Sequence, residues 1–258
     1  MWLFIKEFVN RFRDEDISVF ASCASFFIMI SSIPFIMLLL GLSKYFIPLS
    51  ADEILHGLSV FLPVDIYKFT ETIVFEIFSK APGSLLSITA ITTLWSASRG
   101  ILAIIQGLNN VYNAPKYGFI QGRIIAFFYT FIFILALIVT LILLILSNSL
   151  LGIFSANIYI PILWILLSLI FSLMYKFLPQ KKSTFKSQLP GAMLVSILWI
   201  GFTLLYSLYI NNFSNFSYVY GSLAAIVLLM LWLYICMTLF LCGAEFNEIL
   251  RNKKLIKK

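Results

Sequence analysis

Charge is scarce in this chain. Asp, Glu, Lys and Arg make up 11% of its 258 residues, against about 25% in an ordinary soluble domain. With 61% hydrophobic residues and a mean hydropathy of +1.01, it has too little polar surface to cover a water-facing globule. Histidine is almost absent, with His56 alone. The three cysteines, Cys23, Cys236 and Cys242, all lie in apolar runs without a CxxC, which excludes a disulfide framework and a cysteine metal site. There is no HExxH, GxSxG or P-loop, and the 11 acids are scattered. No enzymatic activity, metal or cofactor is expected. The first 16 residues are mixed in charge, and the apolar run after them is too long for a signal-peptide core, so no cleavage is expected.

Long apolar runs are what the sequence does have. A membrane span needs about 20 mostly apolar residues, and six stretches qualify: Ile17–Leu40, Ser84–Gln106, Ile124–Leu146, Ile160–Leu178, Leu189–Ile210 and Tyr220–Ala244. The expected fold is an all-α, polytopic membrane protein with six transmembrane helices, forming one integral membrane domain over residues 1–258. The loop Gly41–Gly83 is long enough for structure of its own. Ser50-Ala51-Asp52-Glu53 has capping-box spacing, and apolar residues recur at helical spacing on either side of Pro63. Short amphipathic helices over residues 50–80 at the outer face are expected, either as a lid in the headgroups or as a re-entrant cover.

The 18 basic residues give the orientation. Lys6, Arg11 and Arg13 precede span 1, and Lys116 and Arg123 lie between spans 2 and 3. Lys176 at the end of span 4 is followed by Lys181, Lys182 and Lys186, and Arg251, Lys253, Lys254, Lys257 and Lys258 close the chain. All of these fall on one side of a six-span bundle, so both termini are expected in the cytoplasm. The same bias accounts for the net charge of +7 without nucleic acid as a partner.

Arg99 is the one basic residue well inside a span; Lys176 falls only in the last turn of span 4. Counted from Leu85, it lies roughly 21 Å into a hydrocarbon core about 30 Å thick. A cation there needs a partner or water, as an anion or headgroup contact or as a structural pair. Thr89, Thr93, Ser96, Gly100 and Ala103 form a stripe of small residues on the same helix, and Ser18, Ser22, Ser25 and Ser32 form another in span 1. Such stripes permit close packing of spans 1 and 2. Pro34 predicts a kink in span 1. Glu245 follows Tyr220 by about 37 Å of helix, which places it at the inner edge of the membrane. Arg99 or a cytoplasmic lysine is its expected partner. Asp14, Glu15 and Asp16 precede span 1 and complement the positive end of its dipole, with a charge relay from these acids to Arg99 as the other reading.

Several ordered stretches carry a resemblance: Asp16 and Ser31-Ser32-Ile33-Pro34, then Leu94-Trp95-Ser96-Ala97-Ser98-Arg99-Gly100, Gly107-Leu108-Asn109-Asn110-Val111-Tyr112, Leu178-Pro179, Pro190-Gly191-Ala192, Trp199, Tyr220-Gly221-Ser222-Leu223-Ala224-Ala225 and Gly243-Ala244-Glu245-Phe246-Asn247. The chain resembles the YihY / virulence factor BrkB family of bacterial inner-membrane proteins, along nearly its whole length. The resemblance implies a six-span protein of the cytoplasmic membrane with no established reaction. A ribonuclease label once attached to members has no support in these residues. It also implies that Arg99, Asn109, Tyr112, Tyr220, Gly221 and Glu245 occupy motif positions. Together with Asp16 and Ser96 these are the candidate polar site. The expected function is a transporter or exporter of an anionic or amphipathic, lipid-like substrate. The alternative is an envelope scaffold. The expected partners are the lipid bilayer and an unidentified small-molecule or lipid substrate.

Overall fold

The computed structural model describes residues 10–46, 71, 75, 83–132, 156–212 and 222–256. Apart from Glu71 and Phe75, the amphipathic segment 50–80 lies outside the described residues, as do Tyr220 and Gly221. The described chain forms helices α1 (Ile17–Phe46), α2 (Gly83–Val111), α3 (described over Phe119–Ile132), α4 (Ala156–Phe177), α5 (Phe185–Asn212) and α6 (Ser222–Ile256). Residues 10–14 add a short helix before α1.

The ends of these helices explain how the polar motifs are placed. Asp16 turns the chain into α1 with φ 51°, and its carbonyl accepts from Val19 and Phe20 N–H. An L-residue in this left-handed region loses roughly 1–2 kcal/mol, and Asp is among the few that visit it. At the other end of α2, Asn113 has φ 48°. Ala114 N–H reaches back to Asn109 O at 2.8 Å, and Asn113 N–H to Asn110 O at 3.0 Å. This is a left-handed C-terminal cap of the Schellman type, and Pro115 prevents the helix from resuming. Asn113→Val, which cannot take this φ cheaply, is expected to lose about 1–2 kcal/mol of stability. Asn113→Gly should lose none, as read by denaturant unfolding in detergent.

α1 stays helical through Pro34. It packs most closely on α2, and α6 lies against α1, α2 and α5, while α4 packs on α5. Small residues allow the α1–α2 approach: Gly100 sits against Ala24 O and Ile28. The serine hydroxyls of α1 bond within their own helix, Ser22 to Ser18 O, Ser25 to Ser22 O and Ser32 to Met29 O, so they serve packing without seeking a ligand. Between α4, α5 and α6 the core is aromatic. Phe240 packs on Phe171 and Tyr175, Phe171 packs on Trp199, and Tyr175 donates to Phe240 O at 2.6 Å.

The outward faces are apolar. Ile91, Phe119, Ile120, Ile124, Leu205 and Leu208 are all more than half exposed. Helices Phe185–Ile210 and Ile226–Asn252 are long and apolar enough to cross a membrane. Only 11% and 28% of their apolar windows are buried, which separates them from the core helix of a soluble protein. At 35 residues, α6 is about 52 Å long. It is longer than a hydrocarbon core of about 30 Å, and its charges are gathered in its last turns.

Candidate functional site: a polar lock at one end of the bundle

Three acids and three bases converge where α6 leaves its apolar stretch. Glu245 and Glu248 are spaced i, i+3, so they share a face of α6. Glu245 is fully buried, and its Oε1 lies 2.6 Å from Arg11 Nε. The same guanidinium donates to Glu15 Oε1 at 2.7 Å through its Nη2. Neither Glu245 oxygen accepts a well-directed hydrogen bond among the described residues. Glu248 pairs with Arg251 at 2.6 Å and Lys181 at 3.2 Å. The three carboxyl groups therefore face three basic side chains, and burial, with Glu15 beside it, pushes the Glu245 carboxyl well above the usual carboxylate range. Burial alone would lower the pKa of the Arg11 guanidinium, but its bond to Glu15 and the charges of Glu245, Glu15 and Glu248 outweigh this and raise it.

A neutral network continues from the charges. Asn247 accepts from Gly191 N–H at 2.7 Å, and its amide donates to Gln188 O at 3.0 Å. Gln188 Oε1 accepts from Tyr112 OH at 2.7 Å. Burial pushes the Tyr112 phenol far above its ordinary value, so it remains a donor at physiological pH. Lys181 Nζ donates to Tyr112 O at 2.6 Å, Gln180 N–H to Asn109 Oδ1 at 2.8 Å, and Asn110 Nδ2 to Glu15 O at 2.7 Å. The result ties together the segment before α1, the end of α2, the α4–α5 turn, α5 and α6.

Backbone contact underlies this lock. A Cβ on Gly191 would collide with Gly243 O and the Asn247 amide, and one on Gly243 with Val195 and the Tyr175 hydroxyl. Glycines at both positions let α5 and α6 touch closely enough for Asn247 to reach across.

The candidate polar residues separate into two places. Asn109, Tyr112 and Glu245 enter the lock. Asp16 forms the turn beside it. Arg99 does not take part. Its guanidinium lies over the Phe27 ring, 5.4 Å from the centroid, on an exposed side chain, and Ser96, half-buried, shares its helix. The partner of Glu245 is Arg11, neither Arg99 nor a lysine. Gly107 packs against Leu241, and from that level Arg99 lies eight residues back along α2 while Glu245 lies four residues onward along α6. The twelve residues put them about 18 Å apart along the bundle, beyond a side-chain pair. The acids before α1 do not relay to Arg99 either, since Glu15 bonds Arg11 and Asp14 lies 3.5 Å from Arg13. Sequence reasoning gave Arg11 and Lys181 only as orienting charges and Glu15 only as a dipole partner or relay acid, and it did not reach Gln188. An i, i+4 Arg–Glu pair at 11 and 15 was the available signal.

Among the described residues, no three His, Cys, Asp or Glu side chains are grouped to hold a metal.

Apolar helices with outward-turned side chains, joined at one end by buried charges, define a helical membrane protein. The chain belongs to the Virulence factor BrkB family, whose profile matches residues 8–258. It is 30% identical over 265 residues to YfkH of Bacillus subtilis, a protein with a ribonuclease-like name, covering 97% of this chain and 96% of that one. It is 34% identical over 91 residues to a UPF0761 membrane protein of Vibrio vulnificus, covering 35% of this chain and 29% of the relative. A UPF0761 membrane protein of Photobacterium profundum is 36% identical over 81 residues, covering 31% and 25%. No solved structure matches.

Proposed function

We propose that the protein is a transporter or exporter of an anionic or amphipathic substrate, and that the lock is its cytoplasmic gate in the closed position. In this reading the chain is one six-span domain over residues 1–258 of the bacterial inner membrane, with both termini cytoplasmic. The lock carries the proposal. Buried ion pairs add little net stability against apolar replacements, and their best-attested use is to specify or switch a state. Six ionisable groups at one level, with carboxyl oxygens left without directed hydrogen bonds, suit a contact that opens. The described polar groups of the lock bond chiefly to one another, which favours a non-enzymatic role over a ribonuclease. Arg99, with Ser96, is the polar position deeper along α2, and Tyr220 and Gly221 belong to the same motif set. Bilayer lipid and an unidentified small-molecule or lipid substrate are the partners, with neither nucleic acid nor a cofactor required.

The scaffold reading has one observation in its favour. The cavity described below ends at Leu102 and Gln106, and Arg99 is not among its lining residues.

Proteoliposomes loaded with carboxyfluorescein, or labelled with fluorescent phosphatidylglycerol and quenched from outside by dithionite, separate the two. Transport predicts protein-dependent dye loss, or quenching beyond the outer half of the lipid, slowed by Arg99→Gln. Traces identical to those of empty vesicles for both probes would leave the scaffold.

A further inference from the structure

A cavity of about 260 Å³ opens beside the lock, between α1, α2 and the start of α3. Phe20, Leu102 and Phe119 supply apolar walls, and Gln106, Asn109 and Lys116 supply the polar ones. No acid lines it, and Lys116 has no ion-pair partner among the described residues. Asn109 is 2% exposed. Gln180 N–H occupies its carbonyl oxygen, and its amide nitrogen has no hydrogen-bond partner among the described residues. The lining also includes Gly118, Phe119 and Gly122 at the amino end of α3; Gly122 N–H is bonded to Gly118 O, and the first-turn N–H groups before it, with the helix dipole, favour an anion.

The surroundings select the kind of anion. From the cavity mouth, α3 presents Phe119 at 85%, Ile120 at 72%, Ile124 at 64% and Phe128 at 63% exposure. This apolar strip leads away from the cationic pocket along the helix. Sites that enclose a whole small molecule run from about 300 to 1,000 Å³, so this cavity suits a headgroup whose chains remain outside. We infer that the cavity binds an anionic phospholipid, with the phosphate between Lys116, the Asn109 amide and the start of α3, and the acyl chains along Phe119, Ile120, Ile124 and Phe128. The inference stands apart from transport, since a lipid held here binds whether or not anything is moved.

Native mass spectrometry of the full chain in detergent, titrated with phosphatidylglycerol, phosphatidylcholine or glycerol 3-phosphate, tests it. Phosphatidylglycerol should bind in preference to phosphatidylcholine. Lys116→Gln should weaken that binding about fivefold, the worth of one basic residue at an anionic lipid surface, and Lys186→Gln should leave it unchanged. Gly122→Leu, whose side chain would press on Tyr117 and Leu102, should fill the cavity and remove the preference. Equal binding of the two lipids overturns the proposal, as does insensitivity to Lys116→Gln. Glycerol 3-phosphate binding as tightly as the lipid also overturns it, because the chains would then contribute nothing.

Discussion

Arg11→Gln is expected to destabilise the protein by about 3–5 kcal/mol, the range for breaking a buried ion pair from one side. The change leaves Glu15 and the fully buried Glu245 facing each other without the guanidinium that both contact. Glu245→Gln should cost less, because Arg11 keeps Glu15 and a neutral amide tolerates burial better than an unpaired charge. The double variant should recover part of the loss, since Glu15 then faces a neutral amide in place of a second acid. Denaturant unfolding in detergent measures this cycle. The corresponding cycle between Arg99 and Glu245 should be additive, because about 18 Å of helix separates them.

Gly191→Ala is expected to be the other severe change, above about 4 kcal/mol. Its Cβ would run into the backbone oxygen of Gly243 and the Asn247 amide, and backbone cannot turn aside as a side chain can. Parting α5 from α6 would also break the Gly191–Asn247 and Asn247–Gln188 bonds. Gly243→Ala meets mainly side chains, Val195 and the Tyr175 hydroxyl. A second substitution, Val195→Ala, should therefore rescue part of Gly243→Ala and none of Gly191→Ala. Thermal unfolding and monodispersity on size exclusion read both results. Equal rescue of the two would show that the close backbone approach is not what the glycines provide.

The helices were legible from hydropathy because lipid-facing surface is long and apolar. Their ends were less so. The run Tyr220–Ala244 stops at the first acid, while α6 continues to Ile256, because Glu245, Asn247 and Glu248 find partners on neighbouring elements. The run Leu189–Ile210 likewise misses the first turn of α5 at Phe185, where polar residues serve the lock. That Glu245 lies late along α6 followed from helix rise alone. Its partner did not, because Arg99 was the conspicuous cation and rise along one helix says nothing of register between two. Arg11 stood in a mixed-charge segment where no single residue draws notice. Asn109, Tyr112 and Asn247 sat in recognisable motifs, but only the packing of α2, α5 and α6 shows that these motifs meet.

Arg11, in the segment before α1, closes on Glu245 at the end of the apolar stretch of α6. Thiol cross-linking in native membranes tests this contact, in a background with Cys23, Cys236 and Cys242 replaced by serine or alanine. Because a direct disulfide needs the Cα atoms within about 7 Å and the contact here is between long side-chain tips, a short bis-methanethiosulfonate serves as the bridge: Arg11→Cys with Glu245→Cys should cross-link readily, and Arg99→Cys with Glu245→Cys should not. Cross-linking of the second pair but not the first would contradict the lock.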